Sequence, residues 1–143
     1  MPGMTGGQAR ERFVRSRIAR LATVDTSGRP HLVPVVFALT GDTVAFAVDH
    51  KPKRSARLKR LANIRAHPEV CLLVDGYDED WDRLWWARAD GTAAVLPPAA
   101  ASAEATRYVL LLTEKYRRQY AARPPQGPVV AITVTHWSGW HAT

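Results

Sequence analysis

The chain has 143 residues, 46% of them hydrophobic and 23% charged, which suits one globular domain and excludes a largely disordered chain. Its net charge of +7 favours an anionic partner: nucleic acid, a phosphorylated cofactor or an acidic surface. One cysteine, Cys71, excludes an internal disulfide and metal centres built on paired thiols, and no apolar run approaches the ~20 residues that span a bilayer.

Residues 1–10 read as a flexible N-terminal tail without the apolar core of a signal peptide, and residues 11–143 as a single domain, expected in the cytoplasm. A short helix is predicted over 10–17, with Phe13 and Val14 on its apolar side. Strands follow at 19–25 and 31–39, separated by the turn Thr26-Ser27-Gly28-Arg29. Pro34 cannot donate to a ladder, so the second strand must lie at an edge or carry a bulge. A third strand at 43–48 completes an expected antiparallel meander.

Over 55–66 the period changes. Leu58, Leu61, Ala62 and Arg65 recur at helical spacing until Pro68 stops the helix. Strands are predicted at 70–75 and 84–96, the second with a bulge at Gly91. Ala105, Tyr108, Val109, Leu112 and Tyr116 mark one face of a helix over 102–120. A last strand at 129–134 leads into an aromatic tail, His136-Trp137-Ser138-Gly139-Trp140, expected either to dock over the barrel or to serve the site. Strands with inserted helices indicate an α+β domain, and six short strands are compatible with an antiparallel barrel.

The strongest candidate site is the basic segment Asp49-His50-Lys51-Pro52-Lys53-Arg54-Ser55 with Arg57, Lys59 and Arg60. It follows a strand and opens a helix, where free N–H groups and the positive dipole end favour an anion. Guanidinium groups add bidentate phosphate binding. A solvated basic helix face is the plain alternative. Without a helix-turn-helix pattern or nearby stacking aromatics, no nucleic-acid contact is expected. Val35 and Val36 lie where a bulged strand can present backbone to a flat ring, although core packing is the better explanation of them. Trp85 and Trp86 are adjacent on a strand and so point to opposite faces, one free for a partner or a ring. Cys71 sits in an apolar run and reads as a buried thiol. The five histidines lack metal-ligand spacing, and there is no glycine-rich dinucleotide fingerprint, phosphate-binding loop or nucleophile elbow. No metal site and no catalytic side chain are assigned.

The runs Ala19-Arg20-Leu21-Ala22-Thr23-Val24-Asp25, Ser27-Gly28-Arg29-Pro30 and Pro34-Val35-Val36-Phe37 resemble the start of the pyridoxamine 5'-phosphate oxidase-like split β-barrels, as do Lys51-Pro52-Lys53, Leu61-Ala62-Asn63-Ile64 and His67-Pro68-Glu69-Val70. The segments Val74-Asp75-Gly76-Tyr77-Asp78-Glu79-Asp80-Trp81, Leu84-Trp85-Trp86 and Trp137-Ser138-Gly139-Trp140 are similar to an actinobacterial subgroup associated with the deazaflavin coenzyme F420. The resemblance implies a six-stranded antiparallel split β-barrel (the FMN-binding split barrel) with flanking helices. It implies a homodimer with cofactor at the subunit interface, a small-molecule substrate, and no membrane partner. Val35 and Val36 would offer backbone to the ring. Lys51, Lys53, Arg54, Ser55 and Arg60 would hold the phosphate or acidic tail, and Trp85 or Trp86 from the other subunit would border the pocket. The implied activity is hydride transfer between reduced F420 and an unsaturated acceptor such as an enone, quinone or tetrapyrrole. The alternatives are an FMN-dependent oxidase or reductase, and a non-catalytic protein that holds deazaflavin or haem. The extra substrate-phosphate residues of the vitamin oxidases are absent, which counts against that activity.

Overall fold

A computed structural model describes residues 3–48 and 54–143; within α2 it describes the backbone, but not the side chains, of residues 54–58. The elements in chain order are α1 (Gly6–Arg15), β1 (Ala19–Val24), β2 (Pro30–Val35), β3 (Ala38–Thr40), β4 (Thr43–Ala47), α2 (Arg54–Ala66), β5 (Glu69–Gly76), β6 (Trp85–Leu96), α3 (Ala103–Lys115), α4 (Arg117–Tyr120) and β7 (Val129–His141).

Helix α1 starts at Gly6, inside the segment expected to be a flexible tail. A capping box accounts for it: Gln8 N–H donates to Thr5 Oγ1 at 3.1 Å, and Thr5 N–H donates to Gln8 Oε1 at 2.9 Å. Ala9 and Phe13, one helical turn apart, are fully buried. Phe13 meets Phe37 edge-on at 6.0 Å between ring centroids and Trp137 at 5.3 Å. The N-terminal segment is therefore part of the core.

The described strands form one antiparallel sheet in the order β2-β1-β5-β6-β7-β4-β3. The two edge strands, β2 and β3, are joined by only Val36 and Phe37. Laid flat, seven strands would separate the edges by roughly 29 Å at the usual strand spacing. A two-residue link spans about 11 Å at most. The sheet must therefore roll until its edges approach, giving a barrel left open along one seam: an α+β split barrel.

This differs from the six-stranded expectation. The predicted strand at 31–39 is two strands, because the chain leaves one edge at Val35 and enters the other at Ala38. The predicted three-strand meander does not form: β1 pairs with β2, but β4 pairs with β3 and β7. Pro34 lies on an edge strand, opposite Arg20, as its missing N–H requires.

Strands β6 and β7 pair along their whole length, and β7 runs on through the aromatic segment His136-Trp137-Ser138-Gly139-Trp140, which lies beyond the predicted strand at 129–134. One register shift, beside Asp90 and Gly91, leaves Thr135 as the extra residue; its hydroxyl donates to Asp90 O at 3.1 Å. The ladder then resumes at His136. Gly91 is required here: a Cβ would collide with the Thr133 carbonyl and lie 3.0 Å from Ile132 Cγ2. Gly91→Ala is expected to lower stability by about 1–3 kcal/mol through overpacking, read as a reduced urea midpoint.

Inside the barrel, Leu21, Phe37, Val44, Phe46, Leu72, Val130 and Ile132 pack with Phe13. The intervening residues Ala45, Val129 and Ala131 face outward and are covered by Ala105, Tyr108 and Val109 of α3. With both faces covered, β7 begins as a continuous apolar run. The predicted helix over 102–120 is broken at Tyr116, whose backbone (φ −118°, ψ 55°) separates α3 from α4.

Candidate functional site

Helix α2 lies against β1 and β6. Leu61 and Ile64 are buried beneath it, and Asn63, also buried, donates through Nδ2 to Thr23 Oγ1 at 3.2 Å. This polar bond inside an apolar contact fixes how α2 seats on β1. Five of its thirteen residues are Arg or Lys and none is acidic. The half-buried Arg60 places its guanidinium 5.7 Å from the centroid of the Phe46 ring on the barrel lining. Lys59 lies 4.0 Å from the Asp25 carboxylate. Asp25 is held below the usual carboxylate range by the Arg29 N–H first, then by the Ser27 hydroxyl, both at 2.9 Å. Lys59 is thus partly neutralised. Lys51 and Lys53 lie outside the described residues; Arg54 and Ser55 form the start of α2, their side chains likewise outside them.

Val35 is the last residue of β2 and is buried; Val36, in the seam between the edges, is 38% exposed. The next residue, Phe37, is held by a side chain 79 positions away: Tyr116 Oη accepts from Phe37 N–H at 3.1 Å. The same oxygen lies 2.9 Å from Arg17 O and 3.0 Å from Phe37 O, and its single proton serves one of them at a time. Lys115 Nζ donates to Phe37 O at 2.9 Å and sits 3.8 Å from the Phe37 ring centroid. The end of α3 therefore clamps the corner that presents Val35 and Val36.

Trp85 and Trp86 occupy opposite faces of β6, as their adjacency predicts. Trp85 packs against the core and carries the Arg12 guanidinium 4.3 Å above its ring, within a 470 Å³ groove also lined by Gln8, Arg15, Arg83 and His141. Trp86 pairs across the ladder with Trp140 and has the Arg88 guanidinium 5.6 Å from its ring. Helix α2 is bonded to the sheet through Asn63 and Thr23. That helix is anchored beside the row Ala22–Cys71–Asp90, whereas Trp86 stands opposite Asp75, roughly 13 Å further along β5.

The clamp at Lys115 and Tyr116 escaped the sequence reading, which saw Tyr116 only as one apolar position on a helix. Burial first, and Arg17 second, push the Lys115 ammonium down to about 8. Burial raises the Tyr116 phenol, opposed by its Phe37 backbone bond and by Arg17. Between pH 8 and the ordinary lysine value near 10.5, the folded state has released a proton that the unfolded chain still holds, so stability rises with pH. Above about 10 the unfolded tyrosine ionises first, and stability falls again. Thermal midpoints should therefore climb from pH 8 towards 10 and then turn down, and Lys115→Met should remove the climb. Cys71 is half-buried on β5, with its thiol raised by burial and by Asp90, which describes an unreactive sulfur. Among the described residues, no helix is long and apolar enough to cross a membrane.

The described residues thus form an α+β split barrel with a basic helix packed against it and a clamped seam. A family profile described as pyridoxamine 5'-phosphate oxidase matches residues 6–141, so the chain belongs to that family. Solved structures share the fold. An FAD-binding protein from Mesorhizobium loti is 18% identical, with a TM-score of 0.70 and coverage of 96% of this chain and 94% of that one. An F420 reductase is 22% identical, with a TM-score of 0.65 and coverage of 89% and 93%. The haem storage protein HutZ from Vibrio cholerae is 14% identical, with a TM-score of 0.69 and coverage of 94% and 92%.

Proposed function

We propose that this protein is an F420-dependent oxidoreductase that passes a hydride between the reduced deazaflavin and a small unsaturated acceptor. The observation that carries this reading is the charge of α2: five cations and no carboxylate over thirteen residues, at the helix that closes on the barrel lining through Arg60 and Phe46. F420 carries a phosphodiester and a glutamate tail, and such a surface fits that anionic chain better than it fits a neutral ligand. The family and the fold shared with an F420 reductase support the same reading.

Bound F420 supplies the hydride chemistry. Lys51, Lys53, Arg54, Ser55 and Arg60 bind its charged tail. Val35 and Val36 offer backbone to the ring, at a corner kept in place by Tyr116 and Lys115. Trp85 or Trp86 of the partner subunit borders the acceptor pocket. The homodimer this requires is supported by the outward row Leu32–Ala22–Cys71, whose Leu32 is 68% exposed on an edge strand. No side chain is assigned as a proton donor; water can supply the proton.

Parallel titrations with F420 and with FMN test the cofactor. The expected result is saturable F420 binding that weakens as salt is raised, on a protein that sediments as a dimer. Tight FMN binding without F420 affinity would replace this reading with an FMN-dependent one.

A further inference from the structure

Where α3 meets the seam, a 210 Å³ cavity is lined by Val14, Ala38, Leu39, Leu111, Glu114 and Lys115. Four of the six are apolar. Glu114 is engaged by Arg117 at 2.6 Å, which leaves the Lys115 amine as the reactive group on the wall. Its bond to Phe37 O at 2.9 Å holds the nitrogen in one place. Two conditions that activate an amine as a nucleophile coincide here: apolar surroundings, and a neighbouring cation. The cation is Arg17, whose Nη2 donates to Lys115 O at 2.8 Å. Among the described residues no carboxylate pairs with either group. Burial and Arg17 lower the proton affinity of the amine, opposed by the Phe37 carbonyl and by the Phe37 ring 3.8 Å away, so more of it is neutral at pH 7 than of an ordinary lysine.

We propose that Lys115 is a covalent acceptor site for small apolar aldehydes, which form an imine at Nζ with their tail in the cavity. The nitrogen lone pair adds to the carbonyl carbon while the π pair moves to oxygen. Nitrogen loses a proton, the oxygen is protonated and leaves as water, and the C=N bond forms, with no change of oxidation state. The protonated imine keeps one N–H, which continues to donate to Phe37 O. This site lies apart from the basic surface of α2.

The chain has four lysines, Lys51, Lys53, Lys59 and Lys115, so the site can be mapped directly. The full-length protein is treated with pentanal and cyanoborohydride at neutral pH, and the reduced adducts are located by peptide mass spectrometry. Lys115 should be labelled roughly tenfold faster than the other three, a smaller ratio than the neutral fractions alone imply because a less basic amine is also a weaker nucleophile. The half-exposed Leu111, replaced by a neutral polar residue as Leu111→Gln, should slow pentanal labelling at Lys115 while leaving formaldehyde labelling there little changed. Labelling of Lys115 no faster than that of the other lysines, or an equal effect of Leu111→Gln on both aldehydes, would overturn the proposal.

Discussion

Phe13→Ala should cost about 3–5 kcal/mol of unfolding free energy, the range for truncating a fully buried aromatic ring. Phe13 is completely buried and holds Phe37 and Trp137 edge-on. Its loss therefore empties the place where α1, the seam and the long strand β7 meet. The loss is a large share of the whole stability of a domain this size. Denaturant unfolding followed by tryptophan fluorescence measures it, with Phe13→Leu expected to lose less. A loss below about 1 kcal/mol would mean that α1 is not part of the cooperative core.

Arg60→Gln should weaken F420 binding by about tenfold to a hundredfold, corresponding to one charge-assisted bond of roughly 1.5–3 kcal/mol. Lys59→Gln should cost less, because Lys59 already lies 4.0 Å from Asp25. The contrast separates a specific tail contact from a diffuse basic surface. If the two substitutions weaken binding equally, and only at low salt, α2 acts through its general field alone. Fluorescence titration at two ionic strengths gives both affinities, and far-ultraviolet circular dichroism checks that the variants keep the fold.

The parts of the fold readable from sequence are those set by local chemistry. Pro34 marks an edge because it lacks an N–H, Gly91 marks a register shift because a Cβ has no room, and adjacent tryptophans take opposite faces because a strand alternates. The Thr5–Gln8 capping box is equally local, and it starts the helix inside residues whose small, polar composition reads as a tail. The division of residues 31–39 into two strands was not readable. From Leu32 to Leu39 the stretch is continuously apolar, and the bond that holds its corner at Phe37 comes from Tyr116, 79 positions away. The same holds for Lys115, whose lowered affinity for its proton arises from tertiary burial and from Arg17. Within the site, the basic character of α2 was legible residue by residue. The position of Trp86 along β5, some way from the Asn63–Thr23 bond, required the strand register.

The central claim is hydride transfer from F420, and anaerobic mixing tests it most directly. Reduced F420 is combined with the purified protein and a panel of enones, quinones and tetrapyrroles, and the return of the oxidised deazaflavin absorbance is followed. The account predicts protein-dependent reoxidation that saturates with at least one acceptor and slows in Arg60→Gln at subsaturating cofactor. Tight binding of reduced F420 with no reoxidation by any acceptor would contradict it and leave a deazaflavin carrier in its place.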